Sequence, residues 1–174
     1  DMVQDVKPGG FFLLNCVWND EELDKHLPGK VKRYIARNNI KFYTCDAVSI
    51  AKDIGLGARR TNTVLQAAFF KLAEIIPIDD AVKYMKDAIQ KTYGAKGEKI
   101  VNMNMQAVDA GVTHIHKVEI PAAWADAEDD TKVEPMVGRD KLHTDYLNKI
   151  LYTTNTMTGD NVPVSDFLDT ATGM

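Results

Sequence analysis

The densest run of ligand-type residues is Gly55-Leu56-Gly57-Ala58-Arg59-Arg60-Thr61-Asn62. Glycines let a backbone approach a ligand closely, a following helix N-terminus offers unpaired N–H groups, and the guanidiniums of Arg59 and Arg60 favour phosphate. A helical segment precedes the run, whereas the dinucleotide-binding fingerprint requires a strand directly before it and a third glycine three residues on. Two readings stand: a plain interhelix turn, the commoner use of glycine, or a phosphate or cofactor contact. Asn62 and Asn104 carry amides that donate and accept, which suits an adenine, a ribose hydroxyl or an amide of a ligand. The ordinary alternative for Asn62 is helix capping, and for Asn104 a solvated helix position.

Other candidates are weaker. His114 and His116 alternate in a strand-like stretch, so both can face one side, but no third metal ligand is evident in sequence. His26 and His143 stand in charged surroundings and read as surface residues. The acidic run Glu128-Asp129-Asp130 lacks the alternating oxygen ligands and obligatory glycine of a calcium loop and reads as a solvated loop. Cys16 and Cys45 are the two cysteines. With no paired Cys or His nearby they read as buried free thiols in a reducing cytoplasm. Neither a nucleophile elbow, a P-loop nor a zinc-binding His-Glu-x-x-His helix occurs. No catalytic residue and no metal site is assigned.

The elements that must position these residues alternate between strand and helix. Lys7-Pro8-Gly9-Gly10 leads into the apolar run from Phe11 to Cys16, as expected of a strand buried on both faces. Asn19 is a cap candidate for a helix that Pro28-Gly29 breaks before a second one over Lys30 to Asn38. A second strand follows over Ile40 to Cys45. Asp46 caps a helix over Ala47 to Ile54, which Gly55-Leu56-Gly57 ends, and Thr61 or Asn62 caps a long apolar helix toward Ile76. Pro77 restarts an amphipathic helix that closes at Tyr93-Gly94. Ala95-Lys96-Gly97 is a loop, and Ile100, Met103, Ala107 and Val108 mark another helix. The pattern predicts an α/β unit over residues 1–110. Residues 111–174 read as an irregular segment that wraps a neighbour. Within it Lys141 to Leu151 is helical and Asn161 to Ser165 is an extended linker.

At 174 residues, 45% hydrophobic and 26% charged, the chain suits one core plus a tail. Twenty-one Lys and Arg against 25 Asp and Glu give a net charge of -4, no basis for binding nucleic acid or an anionic membrane, so an anionic ligand needs a local basic pocket. No apolar run approaches the ~20 residues of a membrane span, and the expected location is cytoplasmic. An opening Asp1 and a closing Thr172-Gly173-Met174 suggest a piece of a longer polypeptide.

The stretch from Ile54 to Leu72, ending at Ile76-Pro77, resembles the third, gamma-type domain of single-chain pyruvate:ferredoxin or pyruvate:flavodoxin oxidoreductases. The resemblance continues through Ala88 to Gly94, Lys96 to Val101, Met103-Asn104 and Ala107 to Asp109. Upstream it includes Asp24 to Pro28, Lys41 to Tyr43 and Asp46-Ala47. Downstream, Val162 to Ser165 and Phe167 resemble the junction to the family's next domain.

It implies a truncated three-layer α/β/α fold with an irregular C-terminal extension, inside an enzyme that converts pyruvate and coenzyme A to acetyl-CoA and carbon dioxide. Electrons pass to ferredoxin or flavodoxin. The resemblance implies coenzyme A contacts at Asn62 and Asn104 and more weakly at Arg59 and Arg60. The family's glycine-rich coenzyme A loop, its thiamine diphosphate site and its iron-sulfur (4Fe-4S) clusters belong to parts not in this sequence. A homodimeric parent, inactivity of this piece alone and packing against other domains of the same enzyme are further implications. A purely structural scaffold segment is the alternative.

Overall fold

Gly9, at φ +75°, turns the chain into β1 (Phe11–Asn15) in the computed structural model, which describes residues 2–129 and 134–168. Asp1, Asp130 of the acidic run and the closing Thr172-Gly173-Met174 lie outside the described residues. Asn19 caps α1 (Asp20–His26) reciprocally: its Oδ1 accepts from the Glu22 N–H at 2.9 Å and the Glu22 carboxylate accepts from the Asn19 N–H at 3.0 Å. After Pro28, α2 (Gly29–Arg37) leads to β2 (Lys41–Cys45). Asp46 accepts from the Ser49 N–H and starts α3 (Ala47–Ile54), and Gly55, at φ +92°, ends it. α4 (Asn62–Ala73), α5 (Ile78–Tyr93) and α6 (Glu98–Thr113) follow. α4 is shorter than expected: Glu74 turns into the left-handed region at φ +48°, so Ile75 and Ile76 are outside the helix.

β1 and β2 pair in parallel from Phe11↔Lys41 to Asn15↔Cys45, and β3 (His116–Lys117) adds antiparallel to the other edge of β2. Period-two alternation sends Phe12, Leu14 and Phe42 to one face, with Leu23 of α1, Ile35 of α2 and Trp124. Leu13 and Cys45 go to the other, against Ala47 and Ala51 of α3, Val64 of α4 and Ala107 of α6. Helices on both faces of a small sheet make the three-layer α/β/α arrangement. β1 departs from expectation in burial: both its faces are covered, but as an edge strand it is only half-buried, with Phe11 43% exposed.

The segment beyond α6 packs on this chain's own α2. Trp124 is 2% exposed, stacks obliquely on Phe42 at 6.3 Å and donates from Nε1 to Asp24 at 2.7 Å. Arg33 donates to the Ala127 carbonyl and to Asp129 at 2.6 Å, and Arg37 Nε to the Ala125 carbonyl at 2.8 Å. Asp129 also accepts the Lys30 N–H at the start of α2. Glu128 and Asp129 are exposed, as expected of a solvated loop, and Asp129 in addition ties this segment to α2. Further on, α7 (Lys141–Tyr146), a π-helical stretch (Leu147–Leu151) and α8 (Tyr152–Asn155) make one longer helical run than expected. The expected linker is in part helical too, since Gly159–Asn161 and Val164–Phe167 are 3-10 turns and only Val162 and Pro163 are extended.

Candidate anion-binding site

Small residues let α4 and α6 cross closely: a Cβ on Gly111 would lie 2.3 Å from the Val64 carbonyl oxygen and 2.8 Å from the Ala67 Cβ. That crossing brings the first residue of α4 beside the middle of α6. A cavity of about 340 Å³ results, lined by Arg59, Arg60, Asn62, Thr63, Tyr93, Lys96, Ile100 and Asn104. All four residues expected at a ligand site, Arg59, Arg60, Asn62 and Asn104, therefore meet in one place.

Each takes a form the sequence did not settle. Thr61, not Asn62, is the cap of α4, and it caps with no side-chain hydrogen bond, so the N–H groups of the first turn are uncapped. The exposed Asn62 carboxamide bonds to nothing among the described residues and lines the cavity. Asn104 is not a solvated position. It is 6% exposed, its Nδ2 donates to the Ile100 carbonyl at 2.9 Å, and no other side-chain hydrogen bond holds it among the described residues. Every side-chain polar atom fully shut from solvent has a partner among the described residues, so the Asn104 Oδ1 keeps its lone pairs open to the cavity.

The electrostatics of the cavity are one-sided. Arg59, Arg60 and Lys96 contribute three cations, no Asp or Glu lines it, and none of the three makes an ion pair among the described residues. Lys96, Tyr93 and Thr63 were not singled out from the sequence. Ile100 and Asn104 are one four-residue step apart on α6, and Lys96 lies in the 3-10 turn just before Gly97 opens that helix.

The remaining candidates gather elsewhere. Cys16, Cys45, His114 and His116 line a separate cavity of about 650 Å³ at the carboxyl ends of β1 and β2. His116 Nε2 lies 2.8 Å from Asp20 Oδ1, while His114 Nδ1 is engaged by the Ala110 carbonyl and the Thr113 hydroxyl. Burial pushes both thiols up from their ordinary pKa, with the Asp46 charge adding in the same direction, so neither favours the thiolate that metals bind. Among the described residues no group of three or more His, Cys, Asp or Glu is placed to hold a metal ion. None of the described helices is long and apolar enough to cross a membrane.

The model of the pyruvate ferredoxin/flavodoxin oxidoreductase family matches residues 1–114, which include the whole cavity and the turn before it. The chain belongs to that family. It is similar to the pyruvate:ferredoxin oxidoreductase of Moorella thermoacetica, 46% identical over 171 residues, and to the pyruvate-flavodoxin oxidoreductase of Klebsiella pneumoniae, 47% identical over 168. These alignments cover 96% and 97% of this chain and 14% of each relative, so the chain spans about one-seventh of the length of these oxidoreductases. A pyruvate dehydrogenase (NADP+) of Cryptosporidium parvum is 37% identical over 194 residues, covering 99% of this chain and 10% of that protein. Oxidoreductases named for three different electron acceptors therefore share this segment.

Proposed function

We propose that this chain is one part of a larger oxidoreductase that converts pyruvate and coenzyme A to acetyl-CoA and carbon dioxide, and that its own share is to hold coenzyme A. The carrying observation is the concave surface with three cations, no acid and the open Oδ1 of buried Asn104. Coenzyme A is a polyanion with an exocyclic amine, and a chain of net charge -4 attracts it only through such a local pocket. Arg59 and Arg60, beside the uncapped N-terminus of α4, take phosphate oxygens. Asn62 and Asn104 orient the nucleotide by hydrogen bonds, so the contribution is positioning rather than proton transfer.

Thiamine diphosphate and 4Fe-4S clusters, which supply the decarboxylation and electron-transfer chemistry in this reading, are held by other parts of the parent. Cys16 and Cys45, with raised thiol pKa, do not suit cluster ligation. Because similar proteins are named for ferredoxin, flavodoxin and NADP+, the acceptor is selected outside this segment, and either ferredoxin or flavodoxin serves the parent. The parent is a cytoplasmic homodimer that binds neither nucleic acid nor membrane. Residues 1–110 carry the coenzyme A role. Residues 111–174 carry packing roles, although α6 itself continues to Thr113.

A purely structural scaffold is the second reading, favoured by the exposed apolar residues Phe69, Ile75 and Tyr84 on α4, the turn after it and α5, which suit contact with another domain. One substitution separates the two. Asn62→Ala in the full-length enzyme should raise the KM for coenzyme A about three- to tenfold, the worth of one hydrogen bond, and leave coenzyme A-independent decarboxylation of pyruvate unchanged. Unchanged coenzyme A kinetics would favour the scaffold.

A further inference from the structure

We propose that Lys96, held by Tyr93, is the specificity-determining contact for the 3′-phosphate of coenzyme A, so that this site distinguishes coenzyme A from its 3′-dephospho form. The inference rests on the coenzyme A reading above and adds to it residues that nothing else assigns.

Lys96, Ile100 and Asn104 occur at four-residue steps and all line the cavity. Ile100 and Asn104 lie on α6, where such a step advances about 6 Å along one face, and Lys96 ends the 3-10 turn (Gly94–Lys96) just before that helix. The row along this wall of the cavity presents a cation, an apolar side chain and an amide acceptor. A 3′-phosphoadenosine presents the complementary groups in the same order: a phosphate monoester, the flat face of ribose and base, and an exocyclic amine. Asn104 fixes the direction of the row. It is 6% exposed, one N–H of its Nδ2 is held by the Ile100 carbonyl, and the unpartnered Oδ1 is open to the cavity, where it accepts from a donor on the ligand. The amine end belongs at Asn104, which leaves the phosphate end at Lys96.

The other two cations suit a different group. Arg59 and Arg60 lie on the turn that Gly57 (φ +87°) opens, next to the uncapped first turn of α4. Forked guanidiniums beside backbone N–H groups match a diphosphate, whose several oxygens point in different directions. Lysine offers one compact charge with three rotatable donors, which suits a terminal monoester carrying close to two negative charges.

Lys96 is also positioned before any ligand arrives. Its Nζ lies 5.2 Å from the centroid of the Tyr93 ring, and no acidic side chain competes for it among the described residues. Resting on an aromatic face keeps the ammonium at the cavity without neutralising it. Gly97, at φ +101°, follows at once and admits α6 in a conformation that disfavours any side chain, which fixes where Lys96 leaves the backbone.

The test is calorimetric titration of the full-length oxidoreductase with coenzyme A and, separately, with 3′-dephospho-coenzyme A. Lys96→Met should weaken coenzyme A about tenfold or more, the range for a hydrogen bond to a charged group, and leave 3′-dephospho-coenzyme A unchanged. Lys96→Arg should restore most of the preference. Tyr93→Leu, which keeps the charge and removes its support, should weaken coenzyme A about threefold with the same selectivity. Equal weakening of both ligands by Lys96→Met, or of neither, overturns the assignment. Asn62→Ala tells the two levels apart: if it weakens both ligands while Lys96→Met is silent, the site stands and Lys96 is outside it. If both variants are silent toward both ligands, the coenzyme A reading falls as well.

Discussion

Replacing Gly111 by Ala tests the close crossing of α4 and α6 that creates the cavity. The added Cβ would sit 2.3 Å from the Val64 carbonyl oxygen and 2.8 Å from the Ala67 Cβ, both on the facing helix and neither at the end of a flexible side chain. Ordinary contact distances require α4 to withdraw by roughly 1 Å. Overpacking of this kind costs up to about 3 kcal/mol, and the better helix propensity of alanine returns about 1. A net loss of about 2 kcal/mol lowers Tm by about 4–8 °C for a chain of this size. Gly94→Ala is the matched control: its backbone is helical (φ −52°, ψ −42°), and the new Cβ would meet only the flexible Gln90 side chain, at 3.3 Å. That variant should gain up to about 1 kcal/mol. Thermal unfolding followed by circular dichroism reads both. If Gly111→Ala melts at or above the parent temperature while Gly94→Ala behaves as stated, the α4–α6 contact does not set the geometry and the derivation of the cavity from it is wrong. In the full-length enzyme Gly111→Ala should also weaken coenzyme A, although Gly111 is absent from the cavity wall.

Three further outcomes follow from the same structure. Trp124→Phe removes the Nε1 hydrogen bond to Asp24 and part of a buried ring, and should cost about 2 kcal/mol by chemical denaturation; a loss under about 0.5 would mean that the segment after α6 is not part of the core. Lys32 holds the Asp24 carboxyl below its ordinary range by hydrogen bonding, helped by Trp124, and Arg33 does the same for Asp129. Depressed folded values mean stability that is present above the unfolded value near pH ~4 and is lost as pH falls through the folded ones. The double variant Asp24→Asn, Asp129→Asn should therefore start with a lower Tm at pH 7 and lose less of it on acidification, and parallel acid limbs would contradict this. Raised thiol pKa values predict that Cys45, which is buried, reacts with a thiol reagent at pH 7.5 only after denaturation and half-buried Cys16 slowly before it; rapid labelling of Cys45 in the folded chain would show the end of β2 to be open.

What was legible in the sequence was mostly local. Asn19 and Asp46 announced their helices because a side chain that accepts a first-turn N–H acts within three residues, and Gly55 ended α3 for an equally local reason. Asn62, Arg59 and Arg60 stood out because they share one turn. Asn104 drew notice as a ligand-type residue and through resemblance, but its burial was invisible, because it depends on α4 lying across α6 through Ala67 and Gly111. Small residues leave no mark in a hydrophobic period, so the closest contact in the site gave the weakest signal. In the sequence Lys96 falls in a loop, and only the turn between α5 and α6 carries it to the arginines. Trp124 and Asp129 fall in a stretch whose pattern is irregular for a related reason: their partners, Asp24 and Arg33, lie about a hundred residues earlier in the chain.

The charges explain why the cavity reads as a binding site and not merely as a turn. Arg33 has Asp129 at 2.6 Å, Lys86 has Asp109 at 2.7 Å, and Lys141 has Asp145 at 2.6 Å, each cation beside an acid. Arg59, Arg60 and Lys96 instead surround one concavity that no acidic side chain lines. Three exposed like charges gathered without a counter-charge are mildly unfavourable until an anion joins them. An interhelix turn needs Gly55 and Gly57 but no guanidinium, and a scaffold helix needs no open carboxamide on a buried Asn104. A local conflict of this kind, between residues that are otherwise dispensable for the fold, belongs where a ligand resolves it. The ligand must be anionic to satisfy the three cations and must carry a donor to satisfy Asn104. Coenzyme A meets both conditions. An inorganic anion meets only the first, so binding of phosphate alone should be insensitive to Asn104, whereas binding of coenzyme A should not.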